Sequence, residues 1–260
     1  GIAEIMTAVA HLAAHPELPH GPIAVAFTPD EEVGRGADHF DVEGFGAAAA
    51  YTVDGGELGE LEYENFNAAS ATVTVHGLNI HPGSAKDKMR SAILMAIEFN
   101  SMLPPAMIPA HTEGFEGFFH LGHMEGDETT ATLSYIVRDH DMAKFEQKKE
   151  MLRDITAYLN KKYGAGTVEL ELRDQYFNMK KELADHMYLI DRANEAYRAI
   201  GVEPHSVAIR GGTDGAMLSY KGLPCPNLST GGYNAHGPME FACVQEMEQM
   251  VQVLLTLMQA

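Results

Sequence analysis

The hydrophobic period of this chain changes near residue 66 and changes back near residue 176, and that interruption restricts the fold more than any single motif. Ahead of it, the stretches at 22–28 and 49–53 (PIAVAFT and AAYTV) are almost continuously apolar. Such runs suit strands buried on both faces, as in a parallel sheet covered by helices. Inside the interruption, ATVTVHG (71–77) alternates as a half-buried strand does, and KMRSAILMAIEFNSML (88–103) carries a helix-period stripe. GFFHLGHMEG (117–126) and ATLSYIVRDHD (131–141) read as two strands joined by a polar turn. MAKFEQKKEMLRDITAYLNKKYG (142–164) is amphipathic, with Phe145, Leu152, Ile155 and Leu159 on one face, and TVELELRD (167–174) completes the set. The order βαββαβ is that of a ferredoxin-like module. Beyond it, LADHMYLIDRANEAYRAIG reads as a helix ended by Gly201, HSVAI as a strand, GTDGAMLSYKG as a helix and PCPNLS as a strand. GGYNAHGPMEF is a glycine-rich loop, and CVQEMEQMVQVLLTLMQA a final amphipathic helix. The expected architecture is therefore α/β. A helix-covered, mostly parallel sheet is built from residues 1–66 and 176–260, with a ferredoxin-like βαββαβ domain of residues 67–175 inserted into it.

A chain of 260 residues with 45% hydrophobic content can bury the core of one large domain or two smaller ones. Its formal net charge of −19 repels nucleic acid and anionic lipid and favours metal cations as partners. No apolar run approaches the roughly 20 residues that span a bilayer. Cys225 and Cys243 are too few for a disulfide framework and lack zinc-type spacing, so a reducing compartment, the cytoplasm by default, is expected. Gly1 leads directly into IAEIMTAVAHLAAH, with Ile2, Ile5, Met6, Val9 and Leu12 at helical spacing. A chain that opens inside a helix, with no strand, initiator Met or targeting stretch before it, is expected to have lost its beginning.

Polar groups follow the predicted strands. TPDEEVG (28–34) sets Glu31 beside Glu32, Asp54 follows AAYTV, and His236 lies in the glycine-rich loop after PCPNLS. Open parallel sheets bind ligands at the carboxyl ends of their strands, so these distant residues can converge. Carboxylates and imidazole suit zinc, manganese or cobalt, and no cysteine competes. Neighbouring side chains on an extended segment point to opposite sides, so Glu31 and Glu32 do not form one simple patch. On the residues alone, a polar turn after a buried strand stays open for Glu31 and Glu32, as does a structural role for His236.

FTPDEEVGRGADHFDV, YTVDGGELGELEYENFNAAS, HPGSAK, IRGGTDGA and GLPCPNLSTGGYNAHGPMEF occur in this order over nearly the whole chain. Together they resemble the co-catalytic metallopeptidases of the M20 family, and within it the tripeptide aminopeptidases. The resemblance implies a zinc-peptidase-like catalytic domain with an inserted lid, two divalent metal ions (zinc first, cobalt or manganese otherwise) and a tripeptide substrate with a free N-terminus. By the same resemblance Glu31 is the general base, Glu32 and His236 bind one ion, and Asp54 binds the other. Adjacent carboxylates then face different ways, one toward the attacking water and one toward an ion. Ions about 3.5–4 Å apart hold a water, lower its pKa and polarise the scissile carbonyl, while Glu31 passes the water's proton to the leaving amine. In the lid, His81 of NIHPG matches a histidine that stabilises the oxyanion, with a turn before Pro82 as the alternative. Arg138 and Arg210 are candidates to hold the substrate carboxylate, since arginine suits two-pronged contacts. For IRGGTDG the alternative is a helix entry, with Thr213 or Asp214 capping and Arg210 in a surface ion pair. Asn234 reads as a loop residue, and a homodimer through the lid is open.

The chain departs from the family at its start. There a His-x-Asp motif and a further, metal-bridging Asp precede the helix that opens this sequence, and all three residues are missing. The resemblance thus implies an N-terminal truncation and an incomplete metal site in these 260 residues. Another M20 activity (dipeptidase, carboxypeptidase or N-acyl amino acid amidohydrolase) and a non-catalytic binding fragment are the alternative functions.

Overall fold

The computed structural model describes residues 1–259, which group into two compact units: Gly1–Asn65 with the residues from Asn178 onward, and Phe66–Phe177. The first unit opens with helix α1 (Ile2–Ala14), short helix α2 (Val42–Phe45) and strands β1 (Thr52–Val53) and β2 (Glu60–Asn65). α2 is one turn long because Asp41 caps its start, accepting from the Gly44 N–H at 2.9 Å, and Gly46 ends it at φ 69°.

The inserted unit follows as β3 (Asn67–His76), α3 (Ala92–Ser101), β4 (Phe118–Gly126), β5 (Thr130–Asp139), α4 (Met142–Tyr163) and β6 (Val168–Tyr176). Its sheet order is β4-β5-β3-β6, antiparallel throughout. β3 and β5 pair over ten residues, from Asn67 opposite Asp139 to His76 opposite Thr130. Alternation along β5 buries Ala131, Leu133, Tyr135 and Val137. They share one core with Met95 and Phe99 of α3 and with Phe145, Leu152, Ile155 and Leu159 of α4, the stripe read from the sequence. Asp141 caps α4 by accepting from the Lys144 N–H at 2.8 Å.

The chain then returns to the first unit with α5 (Lys180–Leu183), α6 (Tyr188–Ala199), β7 (His205–Ile209), α7 (Asp214–Tyr220), β8 (Asn227–Leu228), β9 (Gly232–Tyr233), β10 (Phe241–Ala242) and α8 (Val244–Gln259). The main sheet has the order β1-β8-β2-β7. β1 runs parallel to β8 and β2 parallel to β7, while β8 and β2 are antiparallel. Mostly parallel is thus right by pairing, but the sheet is mixed. α1, α6 and α8 bury Ala8, Leu12, Ile190, Tyr197, Met250 and Val253 around Leu61 and Leu228 of the sheet. β9 and β10 form a separate two-stranded ribbon.

Two sequence expectations fail here. Residues 22–28 form no strand: they have no ladder partner among the described residues, and Ile23, Val25 and Phe27 are 37%, 38% and 49% exposed. Apolar composition makes a run eligible for a sheet interior, but only neighbours on both sides make it a central strand. β2 was not anticipated, because the acids of ELEYEN (60–65) hid its alternation. No helix is long and apolar enough to cross a membrane among the described residues.

Candidate metal and catalytic site

Glu31 and Glu32 lie in a single 3-10 turn, Glu31–Val33, rather than on an extended segment. Asp30 at φ 62° and Gly34 at φ 71° flank it, so left-handed backbone closes the turn at both ends. With three residues per turn, adjacent side chains diverge by about 120°. Glu31 is accordingly half-buried while Glu32 is exposed.

Asp54 follows β1, and hydrogen bonds from the chain leaving β8 hold its turn. The Asp54 N–H donates to Leu228 O at 3.2 Å and to Asn227 Oδ1 at 3.1 Å. Thr230 Oγ1 donates to Gly55 O at 2.6 Å, and the N–H groups of Thr230 and Gly231 both donate to Gly56 O. His236 sits between β9 and β10 at φ 64°, with Nε2 3.2 Å from Glu32 Oε2. A Tyr233–Phe241 ring stack at 4.9 Å and donation from Asn234 Nδ2 to Met239 O at 3.2 Å brace that loop.

The four residues converge electrostatically. Desolvation raises the Glu31 carboxyl above its ordinary range, the charges of Asp54, Asp214 and Glu32 raise it further, and His236 opposes them. Asp54 is raised as well, by desolvation first; the charges of Glu32 and Asp214 add to it, and those of the N-terminal amine and His236 oppose it. The Asp54 side chain is exposed.

Asp214 is the member of this group that sequence reasoning offered only as a helix cap. Thr213 is the cap, accepting from the Gly215 N–H at 3.4 Å. Asp214 is buried and accepts from Thr28 Oγ1 at 2.6 Å. Gly36 backs onto it so closely that a Cβ there would collide with the Asp214 carboxylate. Nothing local in IRGGTDG marked the aspartate.

Four carboxylates and one imidazole, with no lysine or arginine among the charges acting on Glu31, make a donor set that fits divalent cations. Among the described residues, Glu57, Glu60 and His205 form the only triad whose donor atoms all lie within 4.8 Å of one another. Glu32, Asp54 and His236 are therefore not such a compact triad.

The remaining candidates are placed differently. Arg210 follows β7, which runs opposite to β1, so the carboxyl ends of these strands lie at opposite ends of the sheet. Convergence at one end of a parallel sheet thus does not describe Arg210, although the short loop after it leads back to Asp214. In the inserted unit, Arg138 is half-buried on β5, donates to Val137 O at 3.0 Å and Ala69 O at 3.2 Å, and lies 5.4 Å from the Tyr176 ring centre. Burial lowers its pKa. His81 is exposed, and its Nδ1 accepts from the Gly83 N–H at 3.1 Å, capping the turn Pro82–Ser84. A neutral ring with Nδ1 as acceptor carries its proton on Nε2.

The sequence profile of peptidase family M20/M25/M40 matches residues 1–260. Peptidase T of Halothermothrix orenii is 56% identical over 259 residues, covering 100% of this chain and 64% of that protein. Peptidase T of Caldanaerobacter subterraneus subsp. tengcongensis is 54% identical over 259 residues, covering 100% of this chain and 63% of that protein. The chain thus spans less than two thirds of the length of these relatives. The crystal structure of aminopeptidase PepT from Bacillus cereus matches with a TM-score of 0.87 at 24% identity, covering 99% of this chain and 69% of that one, a likeness of fold.

Proposed function

The chain belongs to peptidase family M20/M25/M40, and from that premise we propose that the protein is a metal-dependent aminopeptidase that releases the N-terminal residue of tripeptides. The observation that carries this reading is the gathering of Asp54, Asp214, Glu32 and His236 around Glu31. The relatives named Peptidase T support its extension to tripeptides.

We assign Glu32 and His236 to one divalent ion and Asp54 to a second, with zinc as the first choice. Bound there, the ions supply Lewis acidity, making a water more acidic and the scissile carbonyl more electrophilic. Glu31 takes the proton of the attacking water and returns it to the leaving amine, a role suited to a half-buried carboxylate with a raised pKa. Asp214 is held by Thr28, whose Oγ1 donates to it at 2.6 Å. His81 is the candidate oxyanion donor through Nε2, acting in its own subunit or across a dimer. Arg138 and Arg210 are the candidates to hold the substrate carboxylate, since arginine suits two-pronged contacts. Two free cysteines and no disulfide suit the cytoplasm as the place of work.

The test compares a tripeptide with the same peptide acetylated at its amine. Hydrolysis of the free-amine peptide alone is expected. Equal hydrolysis of both moves the protein to the amidohydrolase or carboxypeptidase branch, and hydrolysis of neither with metal still bound marks a binding protein.

A further inference from the structure

We propose that Asn227 is a positioning residue that holds Asp54 in place for metal binding by joining it to Glu62, an inference that rests on the assignment of Asp54 as a ligand. Asn227 is 2% exposed and opens β8, where it is the register partner of Thr52 in β1 and of Glu62 in β2. It therefore occupies the centre of three strands, directly below the turn that carries Asp54. Its Nδ2 donates to Glu62 Oε2 at 2.5 Å, and its Oδ1 accepts from the Asp54 N–H at 3.1 Å.

The chemistry of these partners dictates the residue between them. The Asp54 N–H can only donate and a Glu62 carboxylate accepts, so the link needs one donor face and one acceptor face, which a carboxamide supplies. The same two bonds define which end of the Asn227 amide faces which partner. Burial pushes the Glu62 carboxyl up to about 7, while the hydrogen bond from Asn227 pulls it down. A buried carboxylate is costly unless it is bonded, and here the bonded group leads straight to a proposed ligand. Groups that hold metal ligands from behind typically contribute about 10- to 100-fold in metal affinity.

A polarity swap tests the link in the complete protein, using cobalt(II) as the probe. Asn227→Asp keeps the shape and the acceptor toward Asp54 but loses the donor toward Glu62. Adding Glu62→Gln supplies a donor from the other side. Asn227→Asp should weaken cobalt binding at one site by about 10- to 100-fold and speed exchange of the Asp54 amide proton in the metal-free protein. The double variant should restore both, and Glu62→Gln alone should change little, since its amide oxygen still accepts. Wild-type affinity and exchange in Asn227→Asp, or a folded double variant that restores neither, overturns the inference. Asp54→Asn separates the two readings. If it leaves cobalt affinity unchanged, the ligand assignment falls and this inference with it; if it weakens binding and Asn227→Asp does not, this inference falls alone. Should Asn227→Asp not fold, the wild type still decides: slow exchange of the Asn227 side-chain amide protons is expected, and fast exchange overturns the link.

Discussion

The inserted unit and the unit that surrounds it are held together in different ways. Residues 66–177 form one antiparallel sheet with a ten-residue central ladder and a single core under two helices. In the surrounding unit β1 and β8 have two residues each, and the apolar residues divide among three clusters. What ties its loops together is a set of hydrogen bonds between distant segments, such as Thr230 to Gly55 and Thr28 to Asp214. A long ladder satisfies its own polar groups and leaves little for chemistry. Short strands deliver loops, and loops can gather carboxylates whose charges are left for a ligand to balance.

The largest effect that would break this contrast is catalytic. Glu31→Gln should keep metal content and lose at least the ~10²–10⁴-fold that a general base contributes, with amide exchange in the inserted unit unchanged. Glu32→Gln should instead lower metal occupancy. Metal lost from the first variant and kept by the second would exchange their roles.

Next comes the core of the inserted unit. Phe145 is fully buried, so Phe145→Ala should cost about 3–5 kcal/mol in denaturant unfolding. The loss should appear as weaker hydrogen-exchange protection in β3 and β5, while cobalt affinity stays at the wild-type value. Loss of cobalt binding in a protein that retains its secondary structure would show that the two units are not independent in this respect.

A smaller effect belongs to Glu62. Burial raises its carboxyl from 4.5 to about 7 in the folded protein, so between these values the folded state keeps a proton that the unfolded chain releases. Stability should therefore be highest below pH 4.5 on this account and decline as pH rises through 7, by about 3 kcal/mol at most. Glu62→Gln should flatten that part of the pH–stability curve. Parallel curves for the two proteins would mean that the Glu62 carboxyl is not desolvated as described.

The sequence by itself determined what depends on near neighbours. Val73, Leu133, Tyr135 and Val137 alternate, and Phe145, Leu152, Ile155 and Leu159 recur at helical spacing, so β3, β5 and α4 follow from period alone. Motif resemblance singled out Glu31, Glu32, Asp54 and His236 before their positions were known, because order and spacing along the chain survive without coordinates. Only the tertiary structure decided the rest. PIAVAF is apolar enough for a central strand yet pairs with nothing among the described residues, while acid-rich ELEYEN is a strand in the main sheet. The direction of β7, opposite to that of β1, is a choice of partner and not of composition. Asp214 is another aspartate at a helix start until Thr28, Gly36 and Glu31 surround it. A residue's secondary structure is largely settled by its neighbours in sequence, whereas strand pairing and the energy of a charge depend on neighbours in space.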